Sequence, residues 1–219
     1  DGRAGKMTEP TPYYRLPASR RLEAIERGMA RAQAAVNAGQ PAAVNLVGPE
    51  AGPVMAPILD LVNRGVAQRW RAEGGTCFFE TTEMLHALQQ AGLDAPYSAV
   101  GGHFRHLHDP WTIHAWLEAQ SPVGPVVVNA TNLGRRPLYT MLRSDFRKLN
   151  RARIVQVLTA KRFAARMAAL QADTPGESRD EFLRRASRSI WAPTMALFDE
   201  RGPQATPEKK LPPRDTYQP

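Results

Sequence analysis

Three segments between Gly74 and Thr131 decide the fold of this chain: Gly74-Gly75-Thr76-Cys77-Phe78-Phe79-Glu80, Thr112-Ile113-His114-Ala115-Trp116-Leu117-Glu118 and Val126-Val127-Val128-Asn129-Ala130-Thr131. The first segment begins a helical pattern, because Thr76 is a good N-cap and apolar residues recur at helical spacing after it. The other two are short runs rich in β-branched and apolar residues, which is typical of strands. Together they predict a helix over residues 76–91 and an antiparallel hairpin over residues 112–130.

Cys77 is the only cysteine of the chain, and its position at the start of the predicted helix indicates a nucleophile. Free backbone N–H groups and the positive end of the helix dipole both lower the pKa of a thiol in the first turn. We therefore expect Cys77 to be a reactive thiolate, with N–H groups of the same helix end binding an oxyanion. The alternative is a small buried thiol, since cysteine is among the most buried residue types.

The predicted hairpin supplies a candidate base, His114, and a candidate orienting residue, Asn129. Strand alternation places His114 and Trp116 on one face. A four-residue loop at positions 120–123 would set His114 directly opposite Asn129, close enough for the amide oxygen to accept a hydrogen bond from the imidazole. A slip of one residue would break this pairing. The alternatives are a structural histidine and a turn asparagine.

The order of a helical cysteine, His-Ala-Trp-Leu-Glu and Val-Val-Asn-Ala-Thr resembles the transglutaminase-like branch of the papain-like cysteine enzymes. The resemblance covers residues 74–131. It implies an α+β fold in which the helix bearing the cysteine packs on an antiparallel sheet bearing the histidine and then Asp or Asn. It also implies roles for Cys77 as nucleophile, His114 as general acid and base, and Asn129 as the residue that orients the histidine. A second resemblance, to the arylamine N-acetyltransferases, depends on residues 74–77 alone.

The predicted function is cysteine-dependent acyl transfer on an amide bond of a protein or peptide. The superfamily includes thiol proteases, glutamine deamidases, transglutaminases and toxin domains, so the resemblance leaves the acyl acceptor open. The superfamily's use in toxins and the proline-rich ends suggest the toxin or effector module of a larger secreted protein. An immunity-type inhibitor would then be a partner, and the module would act in the cytoplasm or inside a target cell.

The rival hypothesis is a catalytically inactive binding module, and it rests on the distribution of charge. Residues 1–133 hold 11 Lys and Arg against 12 Asp and Glu, whereas residues 134–219 hold 18 against 9. The net charge is therefore −1 in the first part and +9 in the second. Such a basic excess can face nucleic acid or an acidic partner, although we expect at most weak binding of nucleic acid. A solvated basic face on ordinary helices is the simpler explanation.

Composition and chain order predict the domain organisation. We expect an extended arm at residues 1–17, a single α+β catalytic domain at 18–200 and a disordered tail at 201–219. Within the domain, residues 54–158 form the core and residues 160–198 a basic helical part. No apolar run is long enough to span a bilayer, and one cysteine forms no internal disulfide. His103, His106 and His108 suggest a histidine-rich loop near the cleft, but their spacing matches no zinc motif, so we expect no metal and no cofactor.

Overall fold

The structure, a computed structural model, describes residues 13–40, 42–66, 76–105, 112–131 and 136–201, with side chains to residue 196. Its helices are α1 (Ala18–Asn37), α2 (Gly52–Asn63), α3 (Cys77–Gln90), α4 (Arg143–Asn150), α5 (Ala160–Asp173) and α6 (Arg179–Arg201). Its strands are β1 (Ala43–Asn45), β2 (Tyr97–Phe104), β3 (Thr112–Ser121), β4 (Gly124–Asn129), β5 (Leu138–Leu142) and β6 (Arg153–Thr159). Tyr13–Arg15 and Pro49–Ala51 form single 3₁₀ turns.

The six strands form one sheet in the order β1-β5-β4-β3-β2-β6. Strand β1 pairs with β5 in parallel, and the other neighbours are antiparallel. The chain is therefore an α+β protein, which confirms the predicted class. Within the described part of the chain, the structure contains no helix that is both long and apolar enough to cross a membrane.

Helices cover both faces of the sheet, and β3 shows how the sequence directs them. Ala115 and Leu117 point to one face and join a core built with α2, α3, α5 and α6. Trp116 points to the other face and joins a smaller core built with α1 and α4. Because side chains alternate along a strand, a nearly continuous apolar run is what a strand covered on both faces requires.

Strand β2 extends through Phe104, so His103 lies in the strand and not in the expected histidine-rich loop. Gly101 and Gly102 are needed in this part of the strand for close packing. A Cβ on Gly101 would lie 2.7 Å from the Trp191 ring, and one on Gly102 would collide with the backbone carbonyl of Arg153. A register shift at this point, where β2 pairs with β6, marks the irregularity that the glycines accommodate.

The β3–β4 hairpin has a tighter turn than predicted. Ser121 pairs with Gly124 across a two-residue turn, and Leu117 pairs with Val128. The proposed four-residue loop was therefore wrong, and the register differs from the predicted one by two residues. A two-residue shift leaves every side chain on its predicted face, because the period of a strand is two. The predicted faces of the β3 side chains are therefore correct, although the predicted turn was wrong.

The start of helix α6 follows a local sequence signal. Helix α6 begins with a capping box: the Glu181 N–H lies 3.3 Å from Ser178 Oγ, and the Glu181 carboxylate accepts from the Ser178 N–H at 3.2 Å. Strand β5 and helix α4 were not predicted. The expected arm and tail lie largely outside the described residues, at 1–12 and 202–219.

Candidate active site

Cys77 is the first residue of α3, as its sequence context predicts. The side chain belongs to the core on the α3 face and is buried. The backbone N–H groups of Ala115 and Phe78 lie near enough to the sulfur to lower the pKa of the thiol. Phe78 belongs to the helix end, and Ala115 belongs to β3. The helix N-terminus therefore places the thiol against the strand that carries His114.

The contact with Ala115 occurs where the sheet opens. Strand β3 pairs with β4 only from Leu117 to Ser121, and it continues toward its N-terminus beside β2 alone. In this unpaired part of β3, the backbone of Ala115 lies close to the Cys77 sulfur. The thiol thus lies at the opening between β3 and β4, next to Ala115, which follows His114 in the chain.

The acidity of Cys77 differs from the expectation drawn from the helix end. Burial raises the pKa of the thiol to about 12, and the nearby Glu80 carboxylate adds to the rise. The N–H groups of Ala115 and Phe78 act in the opposite direction, but they are outweighed. In this conformation Cys77 is a protonated thiol at neutral pH, not the thiolate expected from its position on the helix.

The ring of His114 lies on the other face of β3. It packs against Phe104, with ring centroids 5.0 Å apart, and stacks on Trp116 at 5.9 Å. Both aromatic residues belong to the core on the α1 and α4 face. Cys77 and His114 therefore both lie close to the same part of β3, but their side chains enter cores on opposite faces of the sheet.

Asn129 contacts His114, as the sequence predicts, although by a different atom. His114 Nε2 lies 3.2 Å from Asn129 Nδ2, which also donates to the Tyr139 hydroxyl at 2.8 Å. The orientation of the amide follows from Thr131, whose backbone N–H can only donate and lies 3.3 Å from Asn129 Oδ1. The oxygen is therefore committed to Thr131, and the NH₂ group faces the imidazole.

This arrangement defines the protonation of His114. Because an amide NH₂ only donates, Nε2 must be the unprotonated nitrogen of a neutral ring, with the proton on Nδ1. Burial lowers the pKa of His114 to about 4, and the positive charge of Arg136 acts in the same direction. The imidazole is therefore neutral near pH 7 and retains a basic lone pair directed at Asn129.

The sequence missed two members of this cluster. The first is Thr131, whose hydroxyl donates to Asn129 Oδ1 at 2.8 Å and lies 3.4 Å from His114 Nε2. Its signal was available, because an asparagine side chain often bonds the backbone N–H two residues on. Tyr139 could not have been found in the same way, since β5 itself was not predicted.

Only His103 of the expected histidine-rich loop lies within the described residues. His103 lies in β2, where it pairs with Ile113 and Arg153 along the sheet. His106, His108 and Asp109 lie outside the described residues. Among the residues that the structure does describe, no group of three His, Cys, Asp or Glu side chains is arranged to hold a metal ion.

Comparison of the chain with protein-family models, with curated proteins and with solved structures finds no match. The class that the fold defines is therefore the α+β architecture described above.

Proposed function

We propose that this protein is a cysteine-dependent acyl-transfer enzyme with a papain-like, transglutaminase-like core that acts on amide bonds of proteins or peptides. One observation carries the proposal. The sulfur of Cys77, at the N-terminus of α3, lies against the Ala115 backbone in β3, next to His114 in the chain, and the His114 ring contacts Asn129 at the end of β4. This arrangement supports the proposal, because a cysteine, a histidine and an asparagine then occur in the order and on the kinds of element that the resemblance implies.

In the proposed reaction, the Cys77 thiol transfers its proton to His114 as the sulfur attacks the carbonyl carbon of an amide. The C–N bond then breaks, His114 returns the proton to the leaving amine, and a thioester remains on Cys77. Attack by water on the thioester gives proteolysis or deamidation, whereas attack by an amine gives transamidation. The backbone N–H groups that now contact the sulfur are suitable donors to the oxyanion.

The raised thiol pKa and the lowered imidazole pKa favour general-base activation over a preformed thiolate–imidazolium pair. With both groups neutral, the proton moves only as the sulfur attacks. The Cys77 sulfur and the His114 ring lie on opposite faces of β3, so they must come into contact for the proton to move. The opening beside Ala115 allows this contact, because β4 is not paired with β3 there. Catalysis therefore requires a rearrangement at this opening when substrate binds, and the rearrangement must also free His114 Nε2 from the Asn129 amide so that it can accept the proton.

The test is to incubate the purified protein with casein and to follow three products in parallel. Ammonia release reports deamidation, incorporation of a fluorescent primary amine reports transamidation, and new peptides in mass spectra report proteolysis. We expect one of the three products to form, and Cys77→Ala and His114→Ala to abolish it. His86→Ala is the matched control, because His86 also lies on α3 but is remote from the β3 opening and packs against Phe182.

Two results would contradict the proposal. A product that still forms at the wild-type rate in Cys77→Ala would exclude a cysteine nucleophile. Absence of all three products with casein and with a mixed peptide library, together with no covalent adduct of Cys77 with peptide electrophiles, would favour the binding module.

A further inference from the structure

A cavity of about 530 Å³ lies on the sheet face opposite α3. Its walls are mainly apolar side chains from α1, α4, β2 and β5: Ile25, Met29, Phe104, Tyr139, Met141 and Leu149. This volume is within the range of pockets that hold small organic molecules, and an apolar lining with few polar groups is typical of them.

The polar groups of the cavity give it a defined charge distribution. Arg136 lies at the border of the cavity. Its positive charge tends to lower the pKa of the nearby His114 and of Tyr139, which lines the cavity. Glu26, an exposed residue of α1, supplies a carboxylate on the helix side. Among the described residues that line the cavity, Arg136 is the one cationic side chain and Glu26 the one carboxylate. An anionic group of a bound molecule can therefore pair with Arg136.

The lining also connects the cavity to the His114 cluster. The Phe104 ring contacts the His114 ring, and the Tyr139 hydroxyl accepts from Asn129. Both Phe104 and Tyr139 line the cavity. A molecule bound there would touch the two side chains that support the imidazole and the amide.

We propose that this cavity binds a small molecule with an apolar body and a carboxylate, with the carboxylate on the Arg136 guanidinium and the apolar body against α1 and β5. A guanidinium recognises a carboxylate through two parallel N–H donors, and the apolar walls gain from removal of hydrocarbon from water. Binding neutralises the charge of Arg136, so it makes His114 more basic. This inference does not depend on the proposed enzymatic activity.

The test uses octanoate as the probe, below its micelle-forming concentration, with 1-octanol and octylammonium as matched ligands. Calorimetric titration of the full chain should give saturable 1:1 binding of octanoate that is tighter than binding of either matched ligand. Arg136→Gln should weaken octanoate binding about 10-fold, as expected for loss of one charge-assisted contact. Arg31→Gln is the control, because Arg31 is an exposed residue of α1 outside the cavity lining.

Two further measurements test ligand binding in the cavity without the Arg136 variant. Ala30→Phe places a ring at the cavity border and should reduce binding, with thermal melts to confirm folding. Nuclear magnetic resonance (NMR) of the His114 ring should show its pKa rising when octanoate is bound. The proposal is overturned if octylammonium binds more tightly than octanoate, if Arg136→Gln binds octanoate as well as the wild type does, or if no ligand shows saturable binding.

Discussion

Replacement of Asn129 by Asp gives the sharpest test of the cluster around His114. The change keeps the shape of the side chain and replaces a neutral donor with a negative charge about 3.2 Å from His114 Nε2. With an effective dielectric constant of about 20, Coulomb's law gives roughly 5 kcal/mol of attraction between a carboxylate and an imidazolium at that separation. At about 1.4 kcal/mol for each tenfold change in acidity, this corresponds to a rise of nearly 4 in the pKa of His114.

Desolvation of the buried carboxylate offsets part of this attraction. We therefore expect the His114 pKa to rise by about 2 to 3 from the low value that burial gives it, which brings it to roughly 6 to 7. The assay is an NMR titration of histidine Cε1–H resonances, with His114→Gln used to assign the signal. Tyr139→Phe is the control, because it removes a partner of Asn129 without adding charge and should leave His114 with a low pKa.

The reasoning fails if Asn129→Asp leaves the pKa of His114 near 4. That result would mean that the side chain at position 129 does not face Nε2 in solution, and the proposed base would lose its orienting residue. A low pKa in Tyr139→Phe together with a raised pKa in Asn129→Asp would instead establish that the contact is direct.

Four further predictions follow from the same structure. The folded state holds the pKa of His114 at about 4, below its ordinary 6.5. The free energy of unfolding should therefore be highest above pH 6.5 and decline by up to about 3 kcal/mol as the pH falls from 6.5 to 4. Denaturant unfolding across this pH range should show the decline, and His114→Gln should flatten it. Burial should make iodoacetamide label Cys77 more slowly in the native protein than in denaturant at pH 8, and equal rates would contradict a raised thiol pKa. Gly102→Ala should destabilise the protein by about 2 kcal/mol or more, because its Cβ meets the Arg153 carbonyl, whereas Gly52→Ala, with open space around its Cβ, should change the denaturation midpoint little. Filter binding should detect only weak, salt-sensitive association with nucleic acid, because Arg143 and Arg147 of the basic part already form ion pairs with Glu118. Binding that survives about 0.3 M salt would contradict this expectation.

The sequence predicted the parts of the fold whose signals are local. Helix α3 and strands β3 and β4 were found from period and composition, and the facing of His114 and Trp116 followed from alternation alone. The turn between β3 and β4 was missed because a two-residue and a four-residue loop fit the same apolar run. Both solutions preserve side-chain facing, so the prediction that His114 meets Asn129 was robust to that error.

The rest of the site depends on contacts that no local pattern encodes. Strand β5 is five residues long and follows a segment with little periodicity, so Tyr139 could not be placed beside Asn129. The acidity of Cys77 was misjudged for a related reason. Position on a helix predicts the local N–H groups, but the degree of burial is set by β3 and the surrounding core, and burial is the larger effect here.

An amide at position 129, rather than a carboxylate, is consistent with the rest of the cluster. A carboxylate beside a buried imidazole would favour a charged pair, whereas the Arg136 charge and the low exposure of His114 disfavour an imidazolium. An amide oriented by the Thr131 N–H instead donates to the imidazole and holds its unprotonated nitrogen in place. The ring then remains a neutral base whose strength changes with the charge near Arg136. An anion bound in the cavity would increase that basicity, and so the cavity and the cysteine site would be linked through one side chain.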